Sequence, residues 1–196
     1  MNNIAVFGGS FNPVHNGHIY ITKCAAEHIK IDKLFVIPTF HPPHKASEEL
    51  VSGEHRYNML ELAFEKIPFA EVNSMELNRT GISYTQDTLN ALKMIYTNSI
   101  FYLIIGGDML LNFKLWKNYK EIIKTAKIIC MAREAGQKTA LQKTARELGN
   151  VLVLDTPEFP LSSAGIREKI KTGENVKKYL PEKVYDYIKT HKLYIN

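Results

Sequence analysis

Short apolar runs alternate with amphipathic stretches along the whole chain. The apolar runs predict β-strands at Ile4–Phe7, Leu34–Pro38, Glu71–Ser74, Ile100–Ile105, Ile128–Ala132 and Val151–Leu154. The stretches between and after them predict helices near Gly17–Ile29, Glu54–Lys66, Gln86–Tyr96, Tyr119–Thr125, Lys138–Leu148, Ala164–Lys171 and Pro181–His191. Strands that are apolar throughout are typical of a sheet covered on both faces, so this alternation predicts an α/β fold with a doubly wound, mostly parallel sheet. We expect a single domain over residues 1–196.

Single residues mark several predicted helix ends. Ser52 and Thr85 are expected to cap the helices that follow them, since a side-chain oxygen can accept a hydrogen bond from a first-turn N–H. Pro181 suits the first turn of the last helix, where its missing N–H costs nothing. Gly173 suits the end of the helix before it.

Unusual residues follow one predicted strand after another. Ligands of open parallel sheets bind outside the carboxyl ends of the strands. We therefore expect one site at that edge of the sheet, formed by segments that are distant in sequence. These segments are Gly8–His18, Pro38–Lys45, Gly106–Asp108 and Leu161–Arg167.

The segment Gly8–His18 carries the strongest chemical signal in the chain. Gly8 and Gly9 follow the first strand, and we expect them to let the backbone turn sharply and approach a bound group closely. The next helix offers free N–H groups and the positive end of its dipole, which favour an anion. His15 and His18 are three residues apart at its start, so both rings can point the same way. Together these features predict a cradle for phosphate.

Other interpretations of the histidines stay open. The two rings could cap or pack against their own helix. A zinc site made of His15, His18, His41 and His44 is conceivable, although that spacing resembles no common zinc pattern. The Walker pattern is absent, which argues against a P-loop kinase or ATPase, and the absence of Gly-x-Gly-x-x-Gly argues against a nicotinamide-dependent oxidoreductase.

Two further segments contain candidate anion ligands. Lys45 closes a loop that Pro42 and Pro43 stiffen, which helps hold the lysine in place. Ser162-Ser163 begins a predicted helix and can cap it or bind a phosphate, and Arg167 lies one turn further along, within reach of the same anion. A mobile surface lysine, and an ordinary cap with a surface arginine, are the alternatives.

Asp108 and Trp116 are candidates for the rest of a ligand. Asp108 follows a strand and two glycines, so its carboxylate could accept bonds from a ribose, help hold Mg²⁺ or belong to a simple turn. Trp116 is the only tryptophan of the chain. It could pack in the core or, beside two lysines, serve as an aromatic platform for a flat ring.

Composition narrows the class of protein. With 196 residues, 45% hydrophobic and 23% charged, the chain is ordinary for a soluble protein. It has no apolar run of ~18 residues and no signal-peptide pattern, so we expect a cytoplasmic location and no membrane contact.

The net charge of +5 suits polyanions, but the C-terminal lysines alternate with glutamates and predict a solvated helix face, so we expect no nucleic-acid partner. Cys24 and Cys130 lie in apolar runs and are expected to be buried thiols.

The chain resembles a known family over nearly its whole length. His-x-Gly-His at 15–18 and Ser-Ser-x-x-Ile-Arg at 162–167 resemble the two signatures of the adenylyltransferase superfamily. Further matches resemble the bacterial nicotinate-nucleotide adenylyltransferases, at Pro42–Lys45, Ser83–Leu89, Gly106–Asp108 and Trp116. Each signature alone is moderately specific, and all of them in order are highly specific.

The resemblance implies a Rossmann-like nucleotidylyltransferase fold and transfer of the adenylyl group of ATP to nicotinate mononucleotide, with Mg²⁺, in NAD biosynthesis. By motif matching, the implied catalytic residues are His15, His18, Lys45 and Arg167. The further ATP ligands that it implies are Gly8, Gly9, Ser10, Phe11, Gly106, Asp108, Ser162 and Ser163. The mononucleotide would contact Lys45, Tyr84, Thr85 and Trp116, with the indole stacked on the pyridine ring. At position 164 this chain has Ala where many relatives have Thr or Ser.

The implied reaction suits these residues, because a nucleotide phosphate is already an anionic nucleophile near neutral pH. No general base or covalent intermediate is then needed, and catalysis consists of alignment and charge neutralisation. The nearest rival is the phosphopantetheine adenylyltransferase, whose members are generally shorter and have Thr at the place of His15. A non-catalytic nucleotide sensor would not need both phosphate signatures. The preference for nicotinate over nicotinamide and the oligomeric state, including a homodimer, stay open.

Overall fold

The computed structural model describes residues 1–41, 50–79, 81–132, 136–155 and 161–195. Its centre is a six-stranded sheet in the order β3-β2-β1-β4-β5-β6. The strands are β1 (Asn2–Gly9), β2 (Lys33–Pro38), β3 (Ala70–Val72), β4 (Ser99–Gly106), β5 (Ala126–Met131) and β6 (Val151–Leu154). Every neighbouring pair is parallel. The prediction of a doubly wound parallel sheet is therefore confirmed.

Helices connect the strands and cover the sheet. They are α1 (Asn16–His28), α2 (Gly53–Phe64), α3 (Thr85–Ile95), α4 (Gly107–Leu111), α5 (Tyr119–Thr125), α6 (Gln137–Leu148), α7 (Ser163–Lys171) and α8 (Glu182–Thr190). The short helix α4 was not predicted. Along the described ranges, no helix has both the length and the apolar character needed to cross a membrane.

The core has two layers because successive strand residues face opposite sides of the sheet. In β1, Ala5 and Phe7 belong to one buried cluster and Ile4 and Val6 to the other. The first cluster packs under α1, α2, α7 and α8, and the second under α3, α4, α5 and α6. A sheet covered on both faces has no polar face, which explains why its central strands are mostly apolar.

The strand order places a crevice between β1 and β4. The chain moves outward from β1 to β3, returns to β4 beside β1, and then moves outward to β6. At this reversal the loops after β1 and β4 diverge toward opposite faces of the sheet, which leaves room for a ligand at the carboxyl ends. Of the predicted site segments, Gly8–His18 begins at the end of β1 and Gly106–Asp108 at the end of β4.

The helix ends agree with the predictions at some positions and correct them at others. Ser52 caps α2 by accepting a hydrogen bond from the His55 N–H, and Gly173 follows α7 with φ 76°, as predicted. The prediction that Thr85 caps α3 was wrong. The helix begins at Thr85 itself, after an extended Tyr84 that makes no side-chain cap. Pro181 lies one residue before α8, at its N-cap position.

Candidate active site

A cavity of about 630 Å³ lies at the carboxyl ends of β1 and β4. The predicted site residues that line it are Gly8, Gly9, Ser10, Phe11, His15, His18, Tyr84, Thr85, Gly106, Asp108, Trp116, Ser162 and Ser163. Its volume is typical of a site for a small organic ligand. Segments that are far apart in the sequence therefore meet at one edge of the sheet, as predicted. Lys45 and the Pro42–His44 segment before it lie outside the described residues.

The chain does not turn at the glycine pair, so the expectation of a sharp turn there was wrong. Gly8 and Gly9 are the last residues of β1. A Cβ on Gly9 would lie 3.2 Å from the Phe11 ring, whereas one on Gly8 would meet no atom within 4 Å. The unusual backbone is at Phe11, whose φ of 45° is rare for a bulky residue. Its ring is buried 5.3 Å from that of Phe7 and 5.0 Å from that of His18, which holds this conformation.

His15 and His18 cap the first turn of α1 with their own rings. Nδ1 of His15 accepts a hydrogen bond from the Gly17 N–H at 3.1 Å, and Nδ1 of His18 accepts one from the His15 N–H at 3.1 Å. The ring centroids are 3.8 Å apart and the rings are tilted by 31°. In a neutral ring whose Nδ1 accepts, the proton is on Nε2. The capping interpretation is therefore confirmed, and each ring makes its cap through Nδ1.

The second signature contacts the loop of the first. Oγ of Ser163 donates a hydrogen bond to the carbonyl oxygen of Pro13 at 2.9 Å, and Nη1 of Arg167 donates to that of Asn12, also at 2.9 Å. Ser162 caps α7 by accepting from the Gly165 N–H at 3.1 Å. Ser162 and Ser163 line the cavity, but Arg167 does not. Arg167 thus holds the loop after β1, and its direct contact with an anion stays a prediction.

Tyr194, at the far end of the described chain, supports the same loop. Its hydroxyl donates to Oδ1 of Asn12 at 2.8 Å, and the Val51 N–H donates to the same oxygen at 3.3 Å. Both Asn12 and Tyr194 are buried. Burial raises the pKa of the Tyr194 phenol well above its ordinary value, so the hydroxyl stays protonated and remains a donor at any working pH.

Arg56 joins three segments around the cavity. It is only 2% exposed. Its Nε donates to the carbonyl oxygen of Val51 at 3.1 Å, and its Nη1 donates to those of Ser10 at 3.0 Å and Thr39 at 2.6 Å. Burial lowers the pKa of this guanidinium, which nevertheless stays charged at neutral pH. Because Ser10 and Thr39 line the cavity, Arg56 fixes the separation of the loops after β1 and β2.

The two glycines of the segment Gly106–Asp108 belong to different elements. Gly106 ends the strand, and Gly107 begins α4. A Cβ on Gly107 would lie 2.6 Å from Oε1 of Gln137 and 3.1 Å from the carbonyl oxygen of Met131, so the absent side chain permits close packing. Asp108 therefore lies in the first turn of a helix rather than in a simple turn, and it lines the cavity.

Aromatic residues form the other end of the cavity. The half-buried Trp116 packs on Phe113, with ring centroids 5.0 Å apart and an angle of 38° between the rings. It also lines the cavity, together with Tyr84, Thr85 and Lys117. The ammonium of Lys117 lies 4.0 Å from the centroid of the Tyr84 ring. Trp116 thus combines the two roles that the sequence left open, since it contacts the core and presents a flat surface to the cavity.

Glu76 is a buried carboxyl group in the cavity wall, 5% exposed. Burial raises its pKa, and hydrogen bonds from the hydroxyls of Thr88 and Ser83 and the charge of Arg79 offset only part of that effect. Oγ1 of Thr88 lies 2.6 Å from Oε1 of Glu76, and Nη1 of Arg79 donates to the same hydroxyl at 3.2 Å. These contacts tie the segment after β3 to the first turn of α3.

Sequence reasoning did not find Arg56, Asn12, Glu76 or Tyr194. Arg56 and Glu76 lie in stretches where a charged residue is expected to face water, and nothing local distinguishes them. The one signal was the position of Asn12 inside the segment Gly8–His18. The predicted buried state of Cys24 and Cys130 is confirmed.

Within the ranges that the structure describes, no group of three or more His, Cys, Asp or Glu side chains could hold a metal ion. His44, one member of the conceivable zinc set, lies outside those ranges.

The C-terminal lysines form ion pairs with nearby glutamates, Lys169 with Glu174 at 2.8 Å and Lys177 with Glu182 at 3.2 Å, as expected for a solvated face.

Comparison with known proteins agrees with this arrangement. The cytidylyltransferase-like family matches residues 6–169. A Clostridium tetani protein named "Probable nicotinate-nucleotide adenylyltransferase" is 36% identical over 97% of this chain and 98% of its own length. A protein of the same name from Carboxydothermus hydrogenoformans is 37% identical over 97% of each chain.

A solved structure supports the fold independently. The nicotinic acid mononucleotide adenylyltransferase of Plasmodium falciparum, complexed with NaAD, superposes with a TM-score of 0.84 at 21% identity. The match covers 99% of this chain and 98% of that one. The family match covers most of the chain, and the two relatives match it over 97% of its length at 36% and 37% identity. The chain therefore belongs to the cytidylyltransferase-like family and, within it, to the nicotinate-nucleotide adenylyltransferases.

Proposed function

We propose that the chain transfers the adenylyl group of ATP to nicotinate mononucleotide, giving nicotinate adenine dinucleotide and pyrophosphate, a step of NAD biosynthesis. The observation that carries this proposal is the shared cavity, which the histidines of the first signature and the serines of the second line together. The same cavity has an aromatic end at Tyr84 and Trp116. A phosphate-binding end and a ring-binding end are what this pair of substrates requires.

ATP occupies the end next to β1 in this proposal. Nε2–H of His15 and of His18 donates to its phosphate oxygens, and the hydroxyl of Ser163 and the first N–H groups of α7 supply further donors. Gly8 leaves the end of β1 without a side chain, so a phosphate can approach the backbone. Gly106 and Asp108 lie beside the adenosine part. Ala164 has no hydroxyl, so any contact there comes from its backbone.

Nicotinate mononucleotide occupies the aromatic end. Its pyridinium ring stacks on Trp116, with Tyr84 and Thr85 on the neighbouring wall, because a flat cationic ring is attracted by an electron-rich aromatic face. Its phosphate then points toward the ATP phosphates. Lys45 is the further phosphate ligand that motif matching implies, and its role stays a prediction.

The reaction is an in-line displacement at the α-phosphorus of ATP. A phosphate oxygen of the mononucleotide forms the new P–O bond while the bond from the α-phosphorus to the bridging oxygen breaks, and pyrophosphate leaves with that electron pair. The attacking phosphate is already anionic near neutral pH, so no side chain has to remove a proton. The protein aligns the two substrates and neutralises negative charge with donors held in place beforehand. The caps that fix His15 and His18 supply that preorganisation.

Mg²⁺ fits this site as an ion that arrives with ATP. It is usually bound through one or two carboxylates together with substrate phosphates and water. Asp108 provides a carboxylate in the cavity wall at the end of β4, and a dedicated protein cage is not required. When bound, the ion would neutralise charge on the phosphates of ATP.

A product assay tests the proposed function. The full chain is incubated with Mg²⁺, ATP and, in separate reactions, nicotinate mononucleotide, nicotinamide mononucleotide and phosphopantetheine, and each mixture is separated by chromatography. We expect pyrophosphate and nicotinate adenine dinucleotide in equal amounts, with the nicotinate substrate preferred. ATP alone is the control for hydrolysis. Product from phosphopantetheine only, or from no acceptor, would contradict the proposal.

Three further expectations belong to the same proposal. The whole span 1–196 acts as one nucleotidylyltransferase domain, since all four predicted segments contribute to one site. The cytoplasmic location stays a prediction for imaging of a tagged chain. Light scattering in solution measures the oligomeric state and shows whether the chain forms a homodimer.

A further inference from the structure

Lys117 lies in a defined place at the aromatic end of the cavity. The ammonium of Lys117 lies 4.0 Å from the centroid of the Tyr84 ring, and both residues line the aromatic end of the cavity. A cation over an aromatic face is held by the quadrupole of the ring, even at an exposed site. The Tyr84 ring therefore keeps the charge of Lys117 beside the place where Trp116 presents its indole.

The backbone also fixes this lysine. The Tyr119 N–H donates to the carbonyl oxygen of Trp116 at 3.2 Å, so Lys117 and Asn118 form the two corners of a tight turn. Asn118 has φ 56°, a left-handed conformation that asparagine tolerates better than most residues. The turn begins directly after Trp116, so the ring platform and the ammonium are adjacent along the chain.

The charge of Lys117 is available for a ligand. Its exposed side chain makes no ion pair with any other residue that the structure describes, whereas the nearby Lys114 pairs with Glu147 at 2.7 Å. Among the described residues that line the cavity, Lys117 is the only lysine or arginine. The carboxyl groups in the lining are those of Glu76 and Asp108.

We propose that the ammonium of Lys117 binds the carboxylate of the nicotinate ring and makes the site prefer nicotinate mononucleotide over nicotinamide mononucleotide. This inference rests on the proposed function. The two substrates differ only in that ring substituent, which is negative in the acid and neutral in the amide. A cation at the rim attracts the first and gains little from the second, so Lys117 acts as a specificity-determining residue.

The phosphate of the mononucleotide is the other anion that could meet this lysine. Both mononucleotides carry that phosphate, so a contact with it would favour them equally. Discrimination between acid and amide is therefore the quantity that separates the two contacts.

Equilibrium binding tests the proposal without depending on turnover. The Kd of each mononucleotide is measured by calorimetry for the wild-type chain and for Lys117→Met, which keeps most of the side-chain volume and removes the charge. We expect the Kd of nicotinate mononucleotide to rise about 3- to 5-fold, the upper part of the range for one exposed ion pair, and that of nicotinamide mononucleotide to change less than about 2-fold. Lys117→Arg keeps the charge and is expected to retain most of the preference.

Lys120→Met is the matched control, because Lys120 is exposed in the next helix and does not line the cavity. Its two Kd values should equal those of the wild type. Added salt should narrow the wild-type preference and leave the Lys117→Met ratio nearly constant. Equal weakening of both ligands, or no weakening of either, would overturn the role of Lys117. Failure of the product assay with normal binding would instead overturn the proposed reaction.

Discussion

Nη1 of Arg167 lies 2.9 Å from the carbonyl oxygen of Asn12, a residue 155 positions earlier in the chain. The second signature of the family therefore contacts and supports the loop that leads into the first. A side chain that motif matching assigns to ATP has, in this structure, a structural partner in the protein. Substitutions in α7 are expected to act on the loop after β1 as well as on any ligand.

Arg167→Met should weaken both stability and ATP binding. The variant leaves the Asn12 carbonyl without this donor, and we expect a loss of about 1.5–3 kcal/mol in the free energy of unfolding, typical of one hydrogen bond from a charged group. We also expect KM for ATP to rise, because the loop is less well held. Urea unfolding and steady-state kinetics measure the two effects. Arg146→Met, at an exposed position on α6, is the control and should change neither. A normal KM would contradict a role for Arg167 at the site.

Arg56→Met should be more damaging, because it removes three hydrogen bonds from a buried cation. We expect the free energy of unfolding to fall by about 2–4 kcal/mol, since buried carbonyl groups lose their donor. We also expect kcat/KM to fall at temperatures where the variant is folded. Arg56→Lys keeps the charge but not the forked geometry, so its stability and its kcat/KM should lie between those of the wild type and those of Arg56→Met. An unchanged kcat/KM in folded Arg56→Met would show that the loop separation is set elsewhere.

Glu76 predicts a specific pH dependence of stability. Its pKa is raised in the folded chain. At a pH between the unfolded and the folded pKa, the folded state therefore holds a proton that the unfolded state has lost. Its contribution to stability is therefore full below the unfolded pKa of about 4.3 and declines as pH rises through the folded pKa. The stability of the wild type relative to Glu76→Gln should fall over that range, by at most ~1.4 kcal/mol per pH unit.

Denaturant unfolding of both chains at a series of pH values measures this difference. Glu168→Gln is the control, because that carboxyl is exposed on α7. Its difference from the wild type should be small at every pH. A difference for Glu76→Gln that rises with pH would mean that hydrogen bonds from Thr88 and Ser83 outweigh burial, which reverses the sign.

Replacement of His18 separates its capping role from its chemical role. His18→Ala removes the acceptor of the His15 N–H, so we expect a loss of about 1 kcal/mol in stability, and it removes a phosphate donor, so kcat should fall about 10²-fold or more. His18→Gln can restore the acceptor, as Gln does at this position of a capping box, but not the imidazole. We expect it to recover stability and not kcat. Near-normal kcat in His18→Ala would refute the chemical role.

The sequence predicted the sheet well because the central strands β1, β2, β4 and β5 are mostly buried on both faces and therefore mostly apolar. The bounds of β6 and α5 agree with the predictions at both ends. Helix α4 was missed, because Gly106 and Gly107 indicated a turn, whereas Gly107 in fact serves close packing against Gln137. Local propensity cannot distinguish a glycine that turns from one that lets a neighbour approach.

The site was predictable where chemistry and position coincide in a short segment, as in Gly8–His18. It was not predictable where a residue acts through long-range contacts. Arg56 is one charged residue among many until folding places three carbonyl groups around it, and Glu76 becomes a buried carboxyl only through the packing of α3. These residues position the site without belonging to a motif.

The hydrogen bond between Tyr194 and Asn12 has a consequence for biosynthesis. A ribosome releases Asn12 long before Tyr194, since 182 positions separate them. Most of the sheet can assemble while translation continues, but the loop after β1 receives this last support only after residue 194 has emerged. A nascent chain that ends before residue 194 would therefore lack this support for the loop even when most of its sheet has folded.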